Sequence, residues 1–327
     1  MKVEYENLIK EFNENFKSIN HLNLSKSNKK YNSFFVVAPP RGGSTFFQQI
    51  LISFTKIGFI SNLMALFWNK PELGAVLQKI FLKHENFMSN FHSTYGNTDG
   101  IFEPHEWGYF WRKWLDIPNK DCFYNKKSSI QWKQLNNKLN LIKDIFELPV
   151  IFDTPYVNTY FREFYKNAHL AKYIFIFRCP YDVCNSICNA RIKRFNNIKS
   201  FYSSKPKDYK FLQNLDNPIE EVIAQVYKIF MEMLDFKNIL LKRDYIVLKY
   251  EDLFVSSEKI LKKMIKFTTN DLSIFSEKKK ILKQNSIESF STNYKNKNKI
   301  IFFDKRYKKE FDFYFKRYFK NFDYKKI

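Results

Sequence analysis

Residues 34–49 restrict the fold of this chain more than any other segment. They begin with an apolar run of aromatic and β-branched residues, the pattern of a strand that is buried on both faces. Two prolines and two glycines follow, and they end the strand and allow a sharp turn. Ser44 or Thr45 can then begin a helix, because the next apolar residues recur at helical spacing. The free amides and the dipole of this helix start would point at one place beside Arg41, so the segment predicts an anion-binding turn.

The order of residues in this turn argues against the ordinary nucleoside-triphosphate loop. That loop has a lysine directly after its last glycine. In this chain Ser44 follows Gly43, and the cation, Arg41, precedes the glycines. A glycine turn without any ligand, between a core strand and a helix, stays the alternative for this segment alone.

A second strand and helix carry candidate phosphate-binding residues. Residues 173–177 are wholly apolar, Arg178 follows them directly, and Pro180 suits the first turn of a helix that carries Ser186. Because ligands of parallel sheets bind at the carboxyl ends of strands, we expect Arg178 near the same crevice as Arg41. Arginine binds phosphate oxygens through two parallel hydrogen bonds, so this unit predicts a second anion site. A salt bridge of Arg178 is the alternative.

These two units resemble the cofactor-binding motifs of sulfotransferases that use 3′-phosphoadenosine 5′-phosphosulfate (PAPS). The family's 5′-phosphosulfate loop, Pro-Arg/Lys-x-Gly-Ser/Thr-Ser/Thr, is matched at 40–45, and its 3′-phosphate motif, Arg-x-Pro-x-Asp-x-x-x-Ser, at 178–186. The family's Tyr-Glu-Asp-Leu motif is matched at 250–253. The resemblance covers roughly residues 34–267. It implies an α/β fold with a central, mostly parallel sheet flanked by helices, the P-loop-like sulfotransferase fold, and PAPS as the co-substrate.

The resemblance also implies which residues bind the cofactor. The set consists of Arg41, Gly42, Gly43, Ser44, Thr45, Phe46, Arg178, Ser186 and Tyr250. Tyr250 is expected near the adenine, where it could stack on the base or hydrogen-bond to it. The Arg-Lys-Gly motif of the cytosolic enzymes is missing, and Lys295, Lys297 and Lys299 are candidates for further contacts to the 3′-phosphate. Arg41 is also expected to stabilise the charge that grows on the leaving 5′-phosphate, and no metal is required.

The base that accepts the proton of the acceptor group is expected in residues 100–111. This stretch places Glu103, His105 and Glu106 beside a proline and before dense aromatic residues, as loops that present acid/base groups often do. We predict His105 as the base and Glu106 as the second choice, with solvated or helix-capping roles as the alternative. Asp153 stands where many sulfotransferases have a lysine, and it is a further candidate for the base or for a group that holds the acceptor.

Composition bounds the organisation of the chain. It has 327 residues, of which 45% are hydrophobic, enough for the core of one large domain. We expect a single domain over residues 1–327, with a polar lead at 1–32 and an aromatic and basic C-terminal helix at 300–327. The net charge of +22 favours anionic ligands in general. Since this charge is spread along the chain, it gives little information about the substrate.

Cysteine usage and hydropathy predict the compartment. Four cysteines are few for this length, which fits reduced thiols in a cytoplasmic protein. Cys184 and Cys188 are one helical turn apart, but no histidine or carboxylate at ligand spacing accompanies them, so we expect buried thiols rather than a metal site. No apolar run reaches the roughly 18 residues that a membrane span needs.

We therefore predict a cytoplasmic enzyme that transfers the sulfuryl group of PAPS to a hydroxyl or amine of a small-molecule or glycan acceptor. A phosphotransferase that binds ATP and Mg²⁺ is the first alternative, and the missing lysine after Gly43 argues against it. A nucleic-acid-binding protein that uses the net charge and the aromatic tail is the second. A packed C-terminal helix is the simpler account of that tail, and we expect no nucleic acid partner. The oligomeric state stays open.

Overall fold

The computed structural model describes residues 2–15, 29–82, 87–118, 124–125, 129–278 and 302–327. Its strands are β1 (Ser33–Val37), β2 (Gly58–Phe59), β3 (Ser93–Thr94), β4 (Asn97–Thr98), β5 (Val150–Asp153), β6 (Ala171–Phe177) and β7 (Tyr245–Lys249). Five of them form a parallel sheet in the order β2-β5-β1-β6-β7, while β3 and β4 pair as an antiparallel hairpin. The predicted α/β fold with a central parallel sheet is confirmed.

Helices flank this sheet. They are α1 (Lys2–Asn15), α2 (Ser44–Phe54), α3 (Asn62–Ala65), α4 (Pro71–Phe81), α5 (Gly108–Trp114), α6 (Trp132–Phe146), α7 (Tyr156–Thr159), α8 (Phe161–Asn167), α9 (Pro180–Phe195), α10 (Tyr209–Gln213), α11 (Pro218–Ile239), α12 (Asp252–Val255), α13 (Ser257–Thr268) and α14 (Lys308–Phe319). Among the described helices, none combines the length and the apolar composition that crossing a bilayer requires.

Alternate residues of the central strand β1 enter two different cores. Phe35 and Val37 belong to one core, which α5, α6, α9 and α11 cover. Phe34 and Val36 belong to the other, which α2 and α13 cover. All five residues of β1 are buried. Successive side chains of a strand point to opposite faces, so an uninterrupted apolar run is what a strand between two helical layers requires.

The carboxyl end of β1 is a switch point of the sheet. The chain leaves β1 through α2 toward the side of β2 and β5, and β6 later pairs with the opposite edge of β1. Ligands of open parallel sheets bind in the crevice at such a point. Asp153 is the last residue of β5, Arg178 and Tyr250 directly follow β6 and β7, and Arg41 lies in the turn after β1. The topology therefore gathers these four residues at one end of the sheet.

The C-terminal helix α14 packs on α11. The ring of Phe319 contacts Tyr227 and Phe230, with centroids 5.4 and 6.3 Å apart. Phe311 and Phe319 are both buried. Part of the aromatic tail therefore belongs to the core, as the simpler account of its sequence requires.

Candidate active site

The turn after β1 has the backbone conformation of an anion-binding loop. Arg41 has φ 61° and Gly43 has φ 92°, so both residues are left-handed. A left-handed arginine is strained, and such strain concentrates at functional sites. The amide of Gly42 donates to the carbonyl of Pro39 at 2.9 Å and closes the turn. Helix α2 begins at Ser44, and the amides of its first turn have no intrahelical acceptors and can bind an anion.

The two predicted phosphate motifs meet at Arg41. Its Nε donates a hydrogen bond to the hydroxyl of Ser186 at 3.1 Å. Arg178 Nη1 donates to the backbone carbonyl of Arg41 at 3.0 Å. Among the described residues, neither guanidinium forms a salt bridge with a carboxylate, and the buried Nε of Arg178 has no hydrogen-bond partner. The geometry therefore leaves positive charge and an unused donor for a ligand, and the salt-bridge alternative for Arg178 gains no support.

Tyr250 closes the cleft on the side of β7. The guanidinium of Arg178 lies over its ring, 4.9 Å from the centroid. A Cβ added at Gly43 would overlap the same ring. The turn after β1 and the end of β7 are therefore in direct contact, and only glycine leaves room for Tyr250.

These groups line a cleft of about 470 Å³. Its walls include the following cofactor-binding candidates: Arg41, Gly43, Ser44, Thr45, Phe46, Arg178 and Tyr250. Gly42 and Ser186 are not in the wall; Gly42 holds the turn, and Ser186 holds Arg41 from behind. A cleft of this size lies within the range of small-molecule and cofactor sites.

Tyr95 is a cleft residue that the sequence did not predict. It lies in the turn of the β3–β4 hairpin, and its ring contacts Arg41 and Arg194, whose guanidinium carbons are 5.3 and 5.6 Å from the centroid. Arg194 also lies 5.6 Å from the ring centroid of Tyr202. The aromatic faces hold these guanidinium groups at the cleft. A lone tyrosine between polar residues has no sequence pattern that would assign it to this place.

Two carboxyl groups face the cleft, Glu106 and Asp153. Asp153 is only 7% exposed, and burial raises its pKa to about 6, against the opposing effect of the hydrogen bond from Ser44. Its Oδ2 has no hydrogen-bond partner among the described residues. The side chain of Glu106 is exposed to the cleft. Desolvation first, and the negative charge of Asp153 second, raise the pKa of Glu106 to about 8, although Arg41 opposes this shift.

His105 does not line the cleft that Glu106 lines. Its Nδ1 accepts a hydrogen bond from the backbone amide of Trp107 at 2.7 Å. Desolvation lowers the pKa of His105 to about 4, so the ring is neutral at pH 7. A neutral imidazole that accepts at Nδ1 carries its proton on Nε2. His105 therefore presents a hydrogen-bond donor to its surroundings rather than a free base.

A second cavity of about 560 Å³ adjoins the cleft. His105 lines this cavity and not the cleft, whereas Glu106 lines both, together with Gly96 and Asn97. Glu106 thus lies between the two spaces, where a group entering from one side could meet a ligand on the other.

Glu103, the third acidic or basic candidate of the same segment, has a structural role. Its carboxylate accepts hydrogen bonds from Gln49 Nε2 at 2.9 Å, from the Ser89 hydroxyl at 2.6 Å and from the Asn90 amide at 2.7 Å. It is 4% exposed and lines neither the cleft nor the second cavity. These bonds tie α2 to the segment that carries His105 and Glu106.

Comparison with known proteins identifies the fold. The sequence matches no protein-family model and no curated protein. The crystal structure of sulfotransferase STF9 from Mycobacterium avium matches 90% of this chain and 77% of its own chain, with a TM-score of 0.53 and 11% identity. This chain has the sulfotransferase fold.

Two further structures are similar at lower scores. The sulfotransferase domain from the curacin biosynthetic pathway has a TM-score of 0.41 and 18% identity, with 74% of each chain covered. The sulfotransferase from Alicyclobacillus acidocaldarius has a TM-score of 0.42 and 15% identity, with 75% of this chain and 83% of that chain covered. These two scores are too low to add to the assignment of the sulfotransferase fold.

Three lysines that the sequence analysis named as candidates for additional 3′-phosphate contacts, Lys295, Lys297 and Lys299, lie outside the described residues.

Cys184 and Cys188 are buried in α9. Within the described part of the chain, no three histidine, cysteine or acidic side chains are placed so that they could hold a metal ion.

Proposed function

We propose that this chain is a sulfotransferase that uses PAPS and transfers its sulfuryl group to a hydroxyl or amine of an acceptor. One observation carries the proposal: the hydrogen bonds from Arg41 to Ser186 and from Arg178 to Arg41 join two separately predicted phosphate motifs in one cleft. A ribose with phosphate at both its 3′ and 5′ sides needs such a pair of adjacent anion sites. The buried Nε of Arg178 has no acceptor, which costs free energy, and a phosphate oxygen would supply that acceptor.

The residues around β1 would bind the 5′ side of PAPS. The amides at the start of α2 and the Arg41 guanidinium are donors that are fixed in place before the reaction. As the bond between sulfur and the 5′-phosphate oxygen breaks, negative charge grows on that oxygen, and preorganised donors stabilise it. Ser186 keeps Arg41 oriented, and Arg178 would bind the 3′-phosphate.

Glu106 is our candidate for the base. The acceptor oxygen forms a bond to sulfur, its proton passes to the Glu106 carboxylate, and the 5′-phosphate leaves. Glu106 lines both the cleft and the adjoining cavity, whereas His105 reaches only the cavity. Because the neutral His105 has its proton on Nε2, we assign it the role of a donor that positions the acceptor, and Glu106 moves ahead of it as the base.

Binding of adenosine 3′,5′-bisphosphate, the nucleotide product of PAPS, tests the proposal. Isothermal titration should show that this nucleotide binds more tightly than 5′-AMP and than ATP with Mg²⁺. Arg178→Gln should weaken its binding about 10- to 100-fold, since a charge-assisted hydrogen bond is lost, and should change 5′-AMP binding less. Arg162→Gln removes another cation that lies over a ring but does not line the cleft, and it should have no effect. Binding of ATP with Mg²⁺ but not of the bisphosphate would favour the phosphotransferase instead.

The raised pKa of Glu106 predicts the pH dependence of turnover. A base must be ionised, so kcat/KM should rise from pH 6 to pH 9 with a midpoint near the pKa of about 8. An ordinary glutamate would be fully ionised below pH 6, and its profile would be flat in this range. A flat rate profile between pH 6 and pH 9 would contradict the assignment of Glu106 as the base.

The raised pKa values of Glu106 and Asp153 also affect the stability of the fold. Both groups hold protons more strongly in the folded chain, so they contribute stability at low pH that is lost as pH rises through their raised pKa values.

A further inference from the structure

We propose that the acceptor is a small aromatic hydroxyl compound with an anionic substituent, and that it binds in the second cavity. This inference rests on the proposed function and specifies its acceptor. A compound in this cavity can bring its hydroxyl to Glu106, because Glu106, Gly96 and Asn97 border both spaces. The cavity volume of about 560 Å³ is sufficient for a compound of this kind.

The wall of the cavity favours a flat ring. Trp68 and Tyr109 stack on each other, with their centroids 4.6 Å apart and their planes at 21°. Both line the cavity, and aliphatic residues of α1 and α3 extend the apolar surface, namely Ile9, Ala65 and Leu66. An aromatic ring that enters this space can add an offset or edge contact to an existing aromatic pair, which contributes more than area burial alone.

One cation at the wall favours an anionic substituent. The guanidinium of Arg112 lies 4.6 Å from the ring centroid of Tyr109, and its side chain is half-buried. No carboxylate forms a salt bridge with it within the part of the chain that the structure describes. Glu6 also lines the cavity, but it is exposed on α1, where solvent screens its charge. Among the described residues that line the cavity, Arg112 is the cation, and a ligand would meet it together with the carboxyl group of Glu106.

Part of the hydrogen-bonding capacity of the cavity wall is already used within the protein. The amide nitrogen of Asn62 donates to Thr98 Oγ1 at 3.0 Å and to the Gly100 carbonyl at 2.7 Å. The hydroxyl of Thr98 donates to the Pro104 carbonyl at 2.9 Å. These groups are occupied, and among the described lining residues Asn97, His105, Glu106 and Arg112 keep polar side-chain groups for a ligand. A phenol needs only one hydrogen-bonded hydroxyl, and the Nε2–H of His105 is available beside Glu106.

Three phenols of similar size and different charge test this inference: 4-hydroxyphenylacetate, 4-hydroxyphenylacetamide and tyramine. Their binding to the full chain is measured by isothermal titration, with and without adenosine 3′,5′-bisphosphate, and N-acetylglucosamine serves as a sugar probe. We expect the dissociation constant of the anionic phenol to be lower than that of tyramine by about tenfold or more. Arg112→Gln should remove this preference, and Arg162→Gln should leave it unchanged. Sulfation with PAPS should follow the same order.

The outcomes separate this inference from the proposed function. If the bisphosphate binds but the three phenols bind equally or not at all, or if only the sugar binds, the acceptor class is wrong while the PAPS assignment stands. If the bisphosphate does not bind, the proposed function fails. Preference for the anionic phenol, lost in Arg112→Gln, would still support the cavity as an aromatic-anion site in that case. The preference within the wild-type chain decides the question even if an Arg112 variant does not fold.

Discussion

Glu106→Gln should lower kcat by about 10²- to 10⁴-fold, the range that loss of a general base produces. The amide has nearly the shape of the carboxyl group but cannot accept the proton of the acceptor hydroxyl. The fold should persist, because the substitution removes a group whose ionised form is disfavoured by desolvation and by Asp153. The measurement is initial-rate sulfation at saturating PAPS, together with thermal unfolding of the same preparation.

Two variants serve as controls for this result. Glu232→Gln makes the same chemical change at another glutamate whose pKa burial raises, to about 7, but which lies outside the cleft. It should retain full turnover. His105→Gln keeps a side-chain donor and should reduce turnover less than tenfold. A large loss in His105→Gln with little loss in Glu106→Gln would return the role of base to His105, as the sequence alone predicts.

Gly43→Ala should be the most damaging small substitution in the cleft. Gly43 has φ 92°, which costs a residue with a side chain about 1–3 kcal/mol. The new Cβ would also overlap the Tyr250 ring, and forced repacking costs a further 1–3 kcal/mol or so. We expect the free energy of unfolding to fall by about 2–5 kcal/mol, or nucleotide binding to weaken by a similar free energy if Tyr250 moves away.

Chemical unfolding and titration with adenosine 3′,5′-bisphosphate measure the two effects of Gly43→Ala. Gly108→Ala is the matched control, because Gly108 lacks a positive φ and a Cβ there meets no atom within 4 Å. Gly108→Ala should change neither quantity by more than about 0.5 kcal/mol. If Gly43→Ala also changes neither quantity, the contact between the turn after β1 and Tyr250 is needed neither for stability nor for nucleotide binding.

Local patterns were sufficient to predict the sheet and its ligand-binding end. The apolar run of β1, the glycine turn and the start of α2 are all encoded by neighbouring residues, so their conformations follow from sequence. The same holds for β6 and the proline that begins α9. The hydrogen bond from Arg41 to Ser186 spans 145 positions, and no local pattern specifies it. The prediction that the two motifs share a crevice came from topology, since parallel strands end at the same edge.

The choice between His105 and Glu106 required the structure. The two residues are adjacent in sequence, and successive side chains of a non-helical segment point in different directions. Which of them faces the cleft depends on how the segment is held. The backbone amide of His105 donates a hydrogen bond to the carbonyl of Ile60, and its Nδ1 accepts one from the Trp107 amide. The hydrogen bonds of Glu103 to two other segments, at Gln49 and at Ser89 and Asn90, are likewise non-local. Residue type alone therefore identified the candidates for the base, but it could not show which of them lines the cleft.

The two adjoining spaces are built from different parts of the chain. The ends of β1, β6 and β7 form the cleft, while α1, α3 and α5 supply much of the second cavity. The residues common to both walls are Gly96, Asn97 and Glu106. Substitutions in the three helices can accumulate without touching Arg41, Arg178 or Tyr250. If the proposed function holds, the range of acceptors is therefore free to diverge during evolution, or to be redesigned in the laboratory, while the residues proposed to bind PAPS stay constant.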